Sequence, residues 1–225
     1  MTRRQRGNGG RRKRGQTPGR RLPHPRSGIT PVLIVCEGRE TEPNYFRGLC
    51  EEETVRQTFK VVVKKGKGGS CLAVVQQAIA EFEKSVGRGE EFDEVWCVFD
   101  VEQAGQREQV IAARSLADQH EIRLSLSNPS FECWLLAHFV RTKKFFADCD
   151  KVIEALNKHW RSEFKRDYAK NDEQLYDRLA KRTPTAIDHG RKVRERDWGL
   201  SADIVDCNSA TEVYLLVEHL LGSAE

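Results

Sequence analysis

The sequence lacks any apolar run long enough to cross a bilayer and contains no Cys-x-x-Cys pair. A membrane-spanning helix needs about 20 consecutive apolar residues, and a secretory signal needs an apolar segment after its basic start. Neither is present here. The seven cysteines are scattered, mostly in apolar runs, which is typical of reduced core residues and not of a disulfide or zinc framework. We therefore expect a soluble, cytoplasmic protein with no membrane partner.

Acidic residues are absent from residues 1–28. This segment holds ten Lys and Arg, whereas the other 197 residues hold 28 against 34 Asp and Glu, a balance of −6. A cationic segment with few apolar residues cannot bury a core, so we expect a disordered arm. Its charge favours nucleic acid, DNA or RNA, as a partner, and a solubilising tail is the alternative. The cluster that we expect to contact phosphates is Arg11, Arg12, Lys13 and Arg14.

Apolar runs alternate with amphipathic helical patterns in residues 29–140. Four runs predict strands, over residues 31–36, 58–65, 94–101 and 122–126. Thr41, Ser70 and Ser130 are good caps for three of the helices between them, and Pro43 suits a first helical turn. Such alternation predicts an α/β domain with a mostly parallel central sheet flanked by helices. Residues 141–225 have little strand signal and predict a helical extension packed on this core, with helices near 148–160, 171–181, 184–197 and 209–222.

Carboxylates follow the two most apolar strands. Glu37 comes directly after the first strand, and Asp100 and Glu102 end the third. Sites in open α/β sheets form at the carboxyl ends of strands, so these side chains converge if the two strands are neighbours. Converging like charges repel, and a divalent cation removes that repulsion. Oxygen ligands favour Mg²⁺ or Mn²⁺, so we predict a metal site of Glu37, Asp100 and Glu102, against the alternative of acids in solvated turns.

Three further features have two interpretations each. Glu132 lies at the start of an apolar helix, where it is either a further catalytic acid or a charge that stabilises the helix end. His138 on the same helix is either a catalytic group or, as we favour, a core histidine. The loop over residues 66–69, with the sequence GKGG, is either a phosphate cradle or, as we favour, a plain turn.

Three stretches of the chain resemble signatures of the RloB family. They are residues 34–46 (IVCEGRETEPNYF), 98–102 (VFDVE) and 127–139 (SNPSFECWLLAHF). The resemblance implies a Toprim-like fold, with Glu37 as its conserved glutamate and Asp100 as the first acid of its pair. The usual pair is Asp-x-Asp, whereas this chain has Glu102 in second place, which keeps the negative charge and adds one methylene group. The resemblance also implies a role in phage defence and a functional lysine near Lys170, for which a solvated surface lysine is the alternative.

The expected activity is a metal-dependent endonuclease acting on DNA or RNA. Glu37, Asp100, Glu102 and Glu132 are the expected catalytic residues, and Arg39 and Lys170 are expected to contact the substrate together with the arm. A nucleic-acid-binding or assembly subunit without its own cleavage activity is the alternative. RloB proteins often occur with an ATPase, so an ATPase is one candidate protein partner, and a second copy of the chain is another.

Overall fold

The computed structural model describes residues 28–101 and 107–222. Four residues of the basic arm that we expect to bind phosphate (Arg11, Arg12, Lys13 and Arg14) lie outside the described residues. The predicted third metal ligand, Glu102, lies outside them as well.

A parallel sheet is the centre of the described residues, and it confirms the predicted α/β fold. Its strands are β1 (Thr30–Cys36), β2 (Phe59–Lys64), β3 (Glu94–Asp100) and β4 (Arg123–Ser127). Their order across the sheet is β2-β1-β3-β4, and each neighbouring pair is parallel. The first and third strands of the chain are therefore hydrogen-bonded neighbours, which was the condition for the predicted site.

Helices connect the strands and form the C-terminal region. In chain order they are α1 (Thr41–Leu49), α2 (Glu53–Thr58), α3 (Cys71–Val86), α4 (Arg107–Gln119), α5 (Glu132–Ala137), α6 (Cys149–Phe164), α7 (Leu175–Leu179), α8 (Thr183–Arg191) and α9 (Val213–Leu221). Short 3₁₀ turns cover Ala180–Arg182 and Ile204–Asp206, and a π-helical turn covers Lys192–Asp197. The helical C-terminal region confirms the sequence prediction, whereas α2 was not predicted.

The predicted side-chain caps are wrong, although Pro43 does lie in the first turn of α1. Helix α1 begins at Thr41 itself, and the hydroxyl of Thr41 contacts the Tyr168 hydroxyl at 3.2 Å instead of a helical N–H. Ser70 occupies the cap position of α3 but makes no capping hydrogen bond with its side chain. Helix α5 begins at Glu132, so Ser130 lies one residue too early to be its cap. At Thr41 a tertiary contact takes the place of the local cap.

Both faces of the sheet are covered, which explains why β1 is a continuous apolar run. Val32, Ile34 and Cys36 point to one face, where the core includes residues of α1, α5, α6, α8 and α9. Leu33 and Val35 point to the other face and pack with residues of α3 and α4. The C-terminal helices therefore share one hydrophobic core with the sheet.

A short segment just before α9 returns to the sheet and pairs with β4. Thr211 forms an antiparallel bridge with Ser127 of β4, and the N–H of Glu212 donates to the Leu126 carbonyl at 2.7 Å. The N–H of Asn128 donates to the Ala210 carbonyl at 2.9 Å. A short segment of the C-terminal region thus covers the outer edge of β4.

Two predictions about composition can be checked on this fold. All seven cysteines are free; five are buried, and Cys50 and Cys149 are partly buried. This confirms reduced cysteines that belong mainly to the core. Within residues 28–101 and 107–222, no helix has the length and apolar character needed to cross a membrane.

Candidate acidic site at the carboxyl edge of the sheet

Glu37 and Asp100 are brought together at the carboxyl ends of β1 and β3. The N–H of Glu37 donates to the Val98 carbonyl at 2.9 Å, which continues the β1–β3 pairing by one residue. The N–H of Asp100 then donates to Glu37 Oε2 at 2.9 Å. The backbone of one strand thereby fixes the carboxylate that follows the other. We call Glu37 and Asp100 the strand-end pair.

The loop over residues 66–69, here called the glycine loop, lies directly against Glu37. The N–H of Gly66 donates to the Gly38 carbonyl at 3.1 Å. A Cβ atom on Gly66 would lie 1.7 Å from the Glu37 carbonyl oxygen, so only glycine permits this approach. At Gly38 a Cβ atom would lie 2.1 Å from Glu42 Oε2. Glycine at position 38 therefore makes room for a second carboxylate.

Glu42 is an acidic residue of the site that sequence reasoning missed. Its side chain is 6% exposed, and Oε1 accepts the N–H of Gly38 at 3.0 Å. Burial raises the pKa of Glu42 to about 7, and the charges of Glu132 and Glu37 act in the same direction, while the N–H groups of Glu42 and Gly38 lower it. In the sequence Glu42 is one of several acids in a polar turn, so no local signal marks it as buried.

Glu132 is buried among side chains from distant parts of the chain. It is 3% exposed; Oε1 accepts the Tyr168 hydroxyl at 3.3 Å, and Oε2 accepts the Cys149 thiol at 3.2 Å. Lys170 Nζ lies 3.5 Å from Oε1. These contacts are to side chains, so the hydrogen bonds of this carboxylate hold the C-terminal region against α5. We call Glu132, Cys149, Tyr168 and Lys170 the Glu132 network.

Lys170 and Arg39, the two basic residues of this region that we expect to contact the substrate, have different surroundings. Lys170 is half-exposed and lies 3.4 Å from Cys149 Sγ as well as close to Glu132. Burial lowers its pKa, but the charges of Glu132 and Cys149 more than offset this, so the pKa of Lys170 is raised. Arg39 is exposed, and its Nη2 donates to the Lys67 carbonyl of the glycine loop at 3.3 Å. The basic side chains of Lys170 and Arg39 therefore both lie on loops that contact the acidic site.

The strand-end pair supplies donors of the kind that Mg²⁺ and Mn²⁺ prefer. Both side chains are carboxylates, and neither thiol nor imidazole accompanies them in the strand-end turns. In the part of the chain that the structure describes, no group of three or more His, Cys, Asp or Glu is arranged to hold a metal ion. The described residues therefore provide two of the three predicted ligands, and their chemistry fits a hard divalent cation.

His138 lies in the core and takes no part in the acidic site. It is fully buried, with Nδ1 3.0 Å from the Trp134 carbonyl oxygen and Nε2 3.4 Å from the Tyr45 hydroxyl. Burial lowers the pKa of His138 to about 3, so the ring is neutral near neutral pH. This agrees with the favoured interpretation of a core histidine.

These features define an α/β protein in which carboxylates gather at the carboxyl ends of two neighbouring parallel strands. A family model described as RloB-like protein matches residues 32–220, which include every strand and helix described here except the first two residues of β1 and the last of α9. The chain belongs to the RloB-like protein family. No curated protein and no solved structure matches it significantly.

Proposed function

We propose that the protein is a metal-dependent endonuclease that hydrolyses phosphodiester bonds in DNA or RNA, in the phage-defence setting that the RloB family suggests. The observation that carries this proposal is the strand-end pair, in which the Asp100 N–H holds the Glu37 carboxylate at the junction of β1 and β3. Two acids on neighbouring strand ends are typical of catalytic sites in open α/β sheets. A Toprim-like relationship is part of the same proposal.

The acidic residues divide into an outer and an inner group. Glu37 and Asp100 are partly exposed at the sheet edge, where Glu37 borders a surface cleft. Glu42 and Glu132 are buried. We therefore assign direct contact with a cation to the outer group, with Glu102 as the third ligand. Of the inner group, Glu42 supports the turn that carries Glu37, because it accepts the N–H of the neighbouring Gly38.

The residues of the chain have distinct tasks in this proposal. Bound by Glu37, Asp100 and Glu102, Mg²⁺ or Mn²⁺ would stabilise charge on the phosphate and lower the pKa of a water molecule. Glu37, whose carboxylate accepts the Asp100 N–H, would accept a proton from attacking water. Lys170 and Arg39 are cations on neighbouring loops that can contact substrate phosphates.

A binding or assembly subunit without cleavage activity is the second candidate. It is favoured by the arrangement of Lys170, whose ammonium group already pairs with the buried Glu132. Under this candidate the acids would have a structural role, and nucleic acid would bind through the arm.

Cleavage by the purified chain separates the two candidates. Labelled single-stranded DNA, duplex DNA and RNA are incubated with Mg²⁺, with Mn²⁺ or with EDTA. Glu37→Gln keeps an oxygen that can accept the Asp100 N–H, so it should fold and yet lose cleavage by more than about 100-fold. Glu40→Gln, an exposed change in the same turn, is the matched control.

Asp100→Asn gives an independent test on the other strand. Its matched control is Asp93→Asn, an exposed position just before the opposite end of β3. We expect Asp100→Asn to abolish cleavage and both controls to cleave like the wild type. Undiminished cleavage by Glu37→Gln and Asp100→Asn would contradict the strand-end pair as the catalytic site. Absence of cleavage by the wild type with every metal and substrate would favour the binding subunit.

A further inference from the structure

A surface cleft of about 260 Å³ lies beside Glu37. One wall is the glycine loop with Gly66, Lys67 and Gly68, and the other is the face of α3 that carries Ala73, Gln76 and Ala80. The Gln77 side chain joins the two walls, because its Nε2 donates to the Lys65 carbonyl at 3.0 Å. This hydrogen bond ties α3 to the chain just before the glycine loop.

The lining of the cleft changes from charged to apolar. Lys67 is exposed at the loop, and Arg39 lies next to it through the hydrogen bond to the Lys67 carbonyl. The α3 wall presents the methyl groups of Ala73 and Ala80, together with the Gln76 amide. Cations at one wall suit a phosphate, whereas a methyl surface with an amide suits the face and edge of a nucleobase.

The size of the cleft narrows the choice of ligand. Pockets that enclose drug-sized molecules have volumes of roughly 300–1,000 Å³. At about 260 Å³ this cleft is too small for a dinucleotide cofactor and suits one nucleotide. A base inside a duplex is stacked and paired on all sides, so its face is not available to a protein wall. Only an unpaired nucleotide can use the apolar surface.

We propose that this cleft holds one unpaired nucleotide of the substrate strand, with its base against α3 and its phosphate at Lys67. The proposal rests on the proposed function of the neighbouring strand-end pair and adds the substrate class: single-stranded nucleic acid, or single-stranded segments of a folded RNA. The bound nucleotide places the following phosphate of the strand beside Glu37.

Binding without cleavage tests this proposal directly. Fluorescence anisotropy of labelled oligouridylate is measured in EDTA with the full chain, then with the same strand annealed to oligoadenylate, and then with an abasic strand of the same length. Ala80→Leu fills the cleft from the α3 wall. Ala112→Leu, an exposed change on α4, is the matched control.

We expect Ala80→Leu to bind oligouridylate about tenfold more weakly than the wild type, equivalent to about 1.4 kcal/mol. Its affinity for the duplex and for the abasic strand should be unchanged, and Ala112→Leu should bind all three like the wild type. Gln76→Ala, at an exposed position, removes the side-chain amide without adding bulk. It should weaken oligouridylate binding in the same selective way, and it serves as the test if Ala80→Leu does not fold. Lys67→Gln should weaken intact and abasic strands alike, because phosphate contacts carry no base information.

Wild-type affinity of Ala80→Leu and Gln76→Ala for oligouridylate would overturn the proposal. So would an equal loss for the duplex and the abasic strand, since the base would then play no part. These results are independent of the nuclease activity. Selective loss of oligouridylate binding by Ala80→Leu and Gln76→Ala, together with full cleavage by Glu37→Gln, would support the cleft and contradict the strand-end catalytic site. Unchanged binding by these two variants, together with loss of cleavage by Glu37→Gln, would contradict the cleft and support the catalytic site.

Discussion

Replacing Gly66 with alanine tests whether the glycine loop has to touch Glu37. On the native backbone the new Cβ would lie 1.7 Å from the Glu37 carbonyl oxygen and 2.9 Å from that of Cys36. Non-bonded heavy atoms are comfortable at about 3.5 Å, so the loop must move by roughly 1.5–2 Å. The obstructing atoms are backbone atoms at the end of a buried strand, and they cannot rotate away.

We expect this movement to lower the stability and, under the proposed function, the rate of cleavage. It breaks the hydrogen bond from Gly66 N–H to the Gly38 carbonyl and displaces one wall of the cleft. Overpacking of this kind costs about 1–3 kcal/mol. For a chain of this length the melting temperature should then fall by roughly 2–12 °C. A displacement of about 1 Å can slow an enzyme by about 100-fold. The cleavage rate should therefore fall strongly even when it is measured well below the melting temperature, where the variant is still folded.

Gly87→Ala is the matched control for this experiment. At the end of α3 its φ is −61°, and a Cβ there would come no closer than 3.6 Å to the Lys84 carbonyl oxygen. We expect this variant to melt and cleave like the wild type. Thermal melts and cleavage rates of the three proteins are compared side by side. If Gly66→Ala matched Gly87→Ala in both measurements, the close approach of the loop to Glu37 would not matter, and the reasoning would be refuted.

Three further predictions concern the arm, the metal and the core histidine. Deleting residues 1–28 should weaken nucleic-acid binding about equally across sequences, and if about four of its cations reach phosphates, the log–log salt slope should become shallower by about 3–4; an unchanged slope would assign the arm another task. Mn²⁺ at a hundredfold excess over its Kd should stabilise the protein by about 2.7 kcal/mol, raising the melting temperature by roughly 5–11 °C. Asp100→Asn should remove this shift and Asp93→Asn should keep it, so equal shifts in the two variants would argue against strand-end ligands. Because burial lowers the pKa of His138 to about 3, the unfolded chain binds its proton first as the pH falls. Protonation of His138 should therefore lower the stability as the pH falls from about 6.5 towards 3, by up to about 1.4 kcal/mol per pH unit, while Glu42, whose pKa burial raises to about 7, has the opposite effect between about pH 7 and the ordinary glutamate range. Urea titrations should show a smaller pH slope for His138→Gln, and the same slope in both proteins would contradict burial of a neutral ring.

The sheet was predictable because the strands that are buried on both faces are apolar without interruption. In β1 every residue from Val32 to Cys36 is fully buried, and such a run has few alternatives to a central parallel strand. The helix starts were less predictable. Thr41 is a good local cap, but a hydroxyl more than 120 residues away in the chain, that of Tyr168, competes for its side chain. Capping preferences describe a helix in isolation and cannot include such a competitor.

The candidate site was predictable only where it depends on strand ends. Glu37 and Asp100 follow directly from two apolar runs and the rule that parallel strands end at one edge. Glu42 was missed, because its burial depends on the position of α1 beneath the turn and on the absent side chain of Gly38. The partners of Glu132 were also hidden, since Tyr168 and Lys170 reach it from a loop more than 30 residues later.

The two outer strands of the sheet are protected in different ways, and this affects how the protein can be shortened or fused. The β2 edge carries Lys60 and Lys64, whose charges discourage pairing with another chain. The β4 edge instead relies on the segment around Thr211. Removing that segment would leave the β4 edge open to pairing with a second molecule, so shortened forms that end before residue 210 should aggregate.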